Sequence, residues 1–253
     1  MKIFLAVLSA IILFSCNSGS SKTGSSSSVK QDATTENKLA SPGRGCSAFF
    51  WFKKGAEFGY QSTDGNGKII ANTTTRIDDV HQDGAALVAD YSTSFGDGKK
   101  INSTYRCEGG KMFMNMKSLF ESGFSALKQA GVELEVTDGY LSFPWNMSPG
   151  DDLEEASFEI KAKQGGKDFM KMKSIIKDRK VEGMQEITTT AGTWNCMKLA
   201  ETRSTITEMN GKQVSVSDTK SVQWFSPEAG LVKTESFDDK GKLNFRSELV
   251  KLK

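Results

Sequence analysis

Six times in this chain a glycine followed by a lysine closes a polar turn: Gly67-Lys68, Gly98-Lys99, Gly110-Lys111, Gly166-Lys167, Gly211-Lys212 and Gly241-Lys242. Glycine supplies the positive φ that a tight hairpin needs, and Asn66-Gly67 and Asn210-Gly211 carry the strongest form of that turn chemistry. Strand-like runs flank the turns: residues 59–63 with 68–77, 85–95 with 100–107, then 111–116, 157–163 with 169–176, 197–208 with 212–225, and 231–237 with 243–252. A further run over 181–190 ends at Ala191-Gly192. The spacing is too irregular for a propeller or a solenoid, so the pattern is a meander of hairpins. The expected fold is all-β, an antiparallel sheet of ten or more strands, barrel-like or strongly curved.

Alternation along the strands supports this. Phe158, Ile160 and Ala162 share one face, while Glu159, Lys161 and Lys163 share the other; Met112, Met114 and Met116 also fall on one face. A period of two with a charged outer face describes a half-buried antiparallel strand, and it excludes a transmembrane barrel, whose outward band must be apolar. One segment departs from the pattern. Leu119, Phe120, Phe124 and Leu127 lie at helical spacing, Ser118 and Glu121 fit a capping box, and Gly131 is a natural stop. The spacing predicts an amphipathic helix over 117–130 that covers one end of the sheet.

The N-terminus is organised differently. Lys2, an apolar run over 3–14 and Ser15-Cys16 read as a secretory signal that is too short to span a bilayer, for which about 20 residues are needed. Leu13-Phe14-Ser15-Cys16 is similar to a bacterial lipoprotein box, which makes Cys16 the acylated first residue of the mature chain. Residues 16–45, rich in Ser, Thr, Gly, Lys and Asn, cannot bury enough apolar surface to offset their ordering entropy. The expected organisation is a signal peptide over 1–15, an acylated tether over 16–45 and one β domain over 46–253. The expected location is the outer membrane by its lipid anchor, with the domain facing the periplasm, since no acidic cluster follows Cys16.

Removing Lys2, and then the tether's four basic and two acidic residues, from the chain's +2 leaves −1 for residues 46–253. Such a domain lacks the basic footprint of a nucleic-acid binder. In an oxidising compartment the three cysteines of the domain allow three single pairings. Cys46, placed at the start of the first strand, and Cys107, at the end of another, are the favoured pair; Cys196, mid-strand, stays reduced.

No constellation of residues carries catalysis. His81 is the sole histidine and lies in the polar stretch 78–84, read as a solvated turn, so multi-histidine metal sites are excluded. The carboxylate pairs Asp78/Asp79, Asp151/Asp152, Glu154/Glu155 and Asp238/Asp239 are read as turn residues, not as the facing pair a glycosidase requires. The methionine stripe reads as core packing in preference to a Cu(I) site. Lys161, Lys163, Lys171 and Lys173 form a basic face that anionic headgroups would suit but that solvent explains better. The glycine-lysine pairs never take P-loop spacing. No cofactor and no metal are expected.

One resemblance is specific. Ala191-Gly192-Thr193-Trp194-Asn195-Cys196-Met197-Lys198-Leu199 and Trp224-Phe225-Ser226-Pro227-Glu228-Ala229-Gly230-Leu231-Val232-Lys233 resemble the TapB-like exported lipoproteins, which are related to an exported domain-of-unknown-function family. Residues 177–183, Cys46 and Cys107-Glu108-Gly109-Gly110 add shorter matches, while Met197 stands where an aromatic residue is more usual. The resemblance implies an envelope domain of barrel-like β fold and transfers no catalytic residue. The functional expectation is a non-enzymatic binding or assembly module for a lipid, a glycan or a partner protein. A purely structural module is the alternative, and an unrecognised hydrolase the remote one.

Overall fold

The computed structural model describes residues 45–117 and 132–253, which belong to one compact unit. Two single turns of 3-10 helix, Cys46–Ala48 and Phe50–Phe52, lead into thirteen strands. These are β1 (Glu57–Asp64), β2 (Ile69–Asp83), β3 (Ala86–Phe95), β4 (Lys100–Glu108), β5 (Lys111–Asn115), β6 (Glu133–Val136) and β7 (Tyr140–Pro144), then β8 (Ala156–Gln164), β9 (Lys167–Thr189), β10 (Gly192–Met209), β11 (Lys212–Ser226), β12 (Gly230–Phe237) and β13 (Leu243–Leu252). They form one antiparallel sheet in the order β6-β8-β9-β10-β11-β12-β13-β1-β2-β3-β4-β5-β7.

All six glycine-lysine turns join paired neighbours, and they are of two kinds. At Gly109-Gly110, Gly165-Gly166 and Asn210-Gly211 both central residues have positive φ, the backbone of a two-residue hairpin whose twist matches the flanking strands. At Gly67, Gly98 and Gly241 a single positive-φ glycine ends a three-residue loop, whose N–H donates to the carbonyl of Asp64, Phe95 or Asp238. In two of these an aspartate completes the loop. Asp64 Oδ1 accepts from Asn66 N (2.9 Å) and Lys68 N (3.0 Å), and Asp238 Oδ1 accepts from Lys240 N (3.0 Å) and Lys242 N (2.8 Å).

The sheet curls around Trp51. Its ring touches Phe58 of β1, Tyr105 of β4, Phe143 of β7 and Phe225 of β11, with centroids 5.1–6.4 Å apart. Phe143 and Phe225 stack at 5.2 Å although eight places separate β7 and β11 in the sheet, so the face bearing them must be concave. Aromatic contacts of this kind add about 0.5–1.5 kcal/mol each beyond area burial. The same face carries the buried Phe158, Ile160, Ala162, Met112 and Met114.

The sheet is curved but unclosed, with β6 and β7 as its edges. Those two strands are consecutive in the chain, and the link between them joins the edges. Thr137 N donates to Glu159 O beside β8, and Met116 N donates to Gly139 O beside β5. A Cβ on Gly139 would lie 2.5 Å from Ser157 O, so only glycine fits this crossing.

Three expectations are corrected. Cys46 opens a 3-10 turn instead of the first strand. β2 runs on through residues 78–83, because a bulge between Ile77 and Asp79 lets the ladder continue past the paired aspartates. β6, which the periodicity does not flag, pairs with β8. The helix expected over 117–130 falls, apart from Lys117, outside the described residues.

Candidate functional site

Where β9 and β10 pair, the register breaks. Leu199 faces Val181 and Ala200 faces Lys180, but Thr202 faces Lys177, leaving Asp178 and Arg179 opposite the single residue Glu201. Asp178 takes a φ of 53° to make this bulge, which turns Arg179 inward. The Arg179 and Glu201 side chains are 1% and 2% exposed, with Nε donating to Glu201 Oε2 at 3.3 Å. Arg179 Nη1 donates to Glu154 O (2.7 Å), Nη2 donates to Ser142 O (3.1 Å), and the guanidinium lies 5.4 Å from the Phe143 ring centroid. Gln223 Nε2 donates to Glu201 Oε1 at 2.9 Å. Burial pulls the Arg179 pKa down, and the Glu201 carboxylate works against that shift. Every guanidinium nitrogen is engaged, so this cluster is a clasp. It ties β9, third in the sheet, to β7 at the far edge.

The concave face is not apolar throughout. Several of its buried side chains carry hydroxyls: Thr75, directly opposite Phe58, shares a 2.7 Å hydrogen bond with Thr93, and Ser62 Oγ donates to Ser247 Oγ at 3.2 Å. Ser221 on β11 lies opposite Glu201, and Thr207 lies further along β10. Among the described residues, three buried side-chain atoms lack a hydrogen-bond partner, namely Ser174 Oγ, Arg203 Nε and Gln223 Oε1. They sit on the neighbouring strands β9, β10 and β11. Such groups cost about 1–3 kcal/mol each when left unsatisfied, so they mark a face whose chemistry is incomplete.

The residues singled out from the sequence fare differently. Cys16 lies outside the described residues. Cys46 and Cys107 are joined in a disulfide with Cα atoms 5.6 Å apart, and Cys196 is free and buried. Burial pushes the Cys196 thiol up to about 12. His81 is on β2, not in a turn, and faces outward beside Asp79 and Asp90, with ligating atoms of the three within 4.8 Å of one another. His81 Nδ1 lies 3.5 Å from Asp90, while Lys54 Nζ donates to Asp79 at 2.8 Å and holds that carboxyl below its ordinary range. The group is solvent-facing and one of its carboxylates is already engaged by a lysine, which makes it a surface charge ladder. Asp78 and Asp79 are likewise strand residues, and none of the four carboxylate pairs converges on a partner pair.

Met112, Met114 and Met116 are all buried, at 9% exposure or less. The basic face of β8 and β9 is largely neutralised: Lys161 and Lys171 approach Glu159 at 3.5 and 3.1 Å, and Lys163 pairs with Glu135. The sequence run hides this, because Glu135 comes from the unforeseen β6. Arg179, Glu201, Arg203 and Gln223 are not singled out by the sequence either. The available signal is that Glu201 and Arg203 continue the alternation of Met197 and Leu199, which puts two charges on the core face of one strand.

A model of the DUF3108-like family matches residues 53–249, nearly the whole of the described sheet. The chain belongs to the DUF3108-like family. Two solved structures share the fold of this family member. One is a crystal structure of a candidate exported protein with a YmcC-like fold from Bacteroides fragilis, 18% identical, with a TM-score of 0.60 over 81% of this chain and 98% of that one. The other is a candidate lipoprotein from Parabacteroides distasonis, 23% identical, with a TM-score of 0.61 over 81% of this chain and 99% of that one. A search of curated proteins finds no match. At these identities the likeness concerns the fold. The family assignment covers the resemblance seen in the sequence at the level of the DUF3108-like family, and the narrower TapB-like likeness is not part of it.

Proposed function

We propose that this DUF3108-like domain is a non-catalytic binding module of the bacterial envelope that holds a hydroxyl-rich, glycan-type ligand against the polar stretch of its concave face. The carrying observation is the polar stretch of that face around Glu201. Phe143 stacks on Phe225 and Trp51 packs against both at an angle, so these rings answer one another in the apolar part of the face. Around Glu201, β9, β10 and β11 present the Ser221 and Thr207 hydroxyls together with the unpartnered Gln223 Oε1, Ser174 Oγ and Arg203 Nε. Sugars are recognised by groups of this kind, because each ligand hydroxyl needs both a donor and an acceptor.

In this reading Cys16 is acylated and tethers the domain to the outer membrane on its periplasmic side through residues 16–45. Two or more acyl chains give the stable anchoring that one chain does not. The fold-level relatives, one named an exported protein and the other a lipoprotein, favour an envelope location.

Native mass spectrometry of the full chain extracted from envelopes tests the proposal. A co-purifying saccharide whose retention falls on Ser221→Val substitution supports it. Retention of a fatty acyl ligand instead would transfer the function to lipid carriage and sink the glycan reading.

A further inference from the structure

Arg203 stands out on the concave face. It lies on β10 two residues beyond Glu201 and opposite Ile176 and Thr219, so its side chain projects from the same face as the clasp. Glu201 is turned to other partners, one carboxylate oxygen accepting from Arg179 and the other from Gln223. Arg203 is half-buried, its Nε is buried without a hydrogen-bond partner, and no carboxylate approaches it within ion-pair distance among the described residues. The contrast with Arg179 is instructive: both arginines sit on one face, but only one has its charge answered. Ser174, opposite Thr205 and therefore a diagonal neighbour of Arg203, is 2% exposed and its hydroxyl also lacks a partner. A guanidinium whose Nε is shielded from water is stabilised by an anion in its fork, and planar carboxylates and phosphates fit that fork.

We infer that the ligand of this face carries an anionic group, a carboxylate or phosphate on a hydroxyl-rich molecule, which docks on the Arg203 guanidinium with the Ser174 hydroxyl donating beside it. The inference rests on the binding reading above and narrows it from neutral to acidic ligands. Arg203 then supplies charge selection, while the Ser and Thr hydroxyls supply contacts to the remainder of the molecule. The clasp keeps Glu201 neutralised, so the face presents net positive charge at Arg203.

The test is calorimetric titration of the detergent-solubilised full chain with three probes: an oligosaccharide of uronic acids, the same oligosaccharide with its carboxyls reduced to alcohols, and glycerophosphate as the headgroup of an anionic lipid. The expected result is a preference of about tenfold or more for the acidic over the reduced saccharide, weakening with added salt. Arg203→Gln should abolish the preference, and Arg203→Lys should retain part of it. Binding of glycerophosphate with the same dependence on Arg203 also supports the inference and assigns the anion to a lipid headgroup. Equal affinity for acidic and reduced saccharides overturns the inference and leaves the glycan reading standing. Binding of none of the three overturns both. Should Arg203→Gln fail to fold, the wild-type comparison and Arg203→Lys still decide the question.

Discussion

Arg179 and Glu201 illustrate how a buried charge shapes its surroundings at the scale of single residues. Neither side chain reaches solvent, and each is tolerated because the other, two backbone carbonyls and Gln223 satisfy it. Removing one partner strands the other. Arg179→Met is therefore expected to lower unfolding stability by about 3–5 kcal/mol in urea titrations, and the double variant Arg179→Met/Glu201→Met should recover part of that loss. If the single variant costs no more than the double, the clasp is not the coupled pair described here. Cys196 gives a second residue-scale expectation. Its thiol, normally near 9.0, is raised to about 12 by burial, so the native protein should resist a thiolate-selective reagent at pH 8 until denaturant is added. The sign for stability follows. The folded state holds the proton longer than the unfolded chain, so this contribution is intact below about 9 and is lost as pH rises toward about 12. A urea midpoint that did not fall across that window would contradict it.

At the scale of elements, turn chemistry is the most legible feature of the chain. Glycine-lysine pairs locate six hairpins, because positive φ is a local demand that a single residue type meets. The aspartates that hold the loops at 64–68 and 238–242 follow from the same local logic. Gly230 belongs to another class. It has a φ of +77°, and a Cβ there would lie 2.5 Å from the Trp51 ring, so the β11–β12 turn is fitted against the aromatic hub. Gly230→Ala should cost about 1–3 kcal/mol through strain and overpacking, seen as a lowered thermal midpoint. Gly211→Ala, which meets no neighbour, should carry only the backbone cost. Similar losses at the two sites would show that contact with Trp51 is unimportant. β6 and the Asp178 bulge are not legible. A four-residue edge strand carries too few residues to show a period, and a bulge depends on what the partner strand presents.

The described residues form a curved, unclosed sheet whose distant strands are held together by three devices: the aromatic hub at Trp51, the Arg179 clasp and the Thr137–Gly139 crossing. Cys46–Cys107 adds a covalent link across 61 residues and ties the segment carrying Trp51 to β4. Chain-entropy arguments assign a loop of that length about 4 kcal/mol. Reduction, or Cys46→Ser/Cys107→Ser, should lower the urea midpoint accordingly and loosen the Trp51 environment in near-ultraviolet circular dichroism. An unchanged spectrum would mean that the hub holds Trp51 in place without the bond.

Sequence alone determined the class of structure: antiparallel hairpins, their turn positions, and the apolar faces of β5 and β8. These are properties of residues close in the chain, where alternation and turn geometry act over a few positions. The tertiary structure decided which charges face inward and which are answered. Arg179 lies between two strand-like runs and Arg203 within one, and neither position shows locally what its charge will meet. Only the curl of the sheet carries Ser142 and Glu154 to the first, and among the described residues it brings no carboxylate within ion-pair distance of the second. Electrostatic pairing depends on distance in space, and the candidate site of this protein rests on that difference.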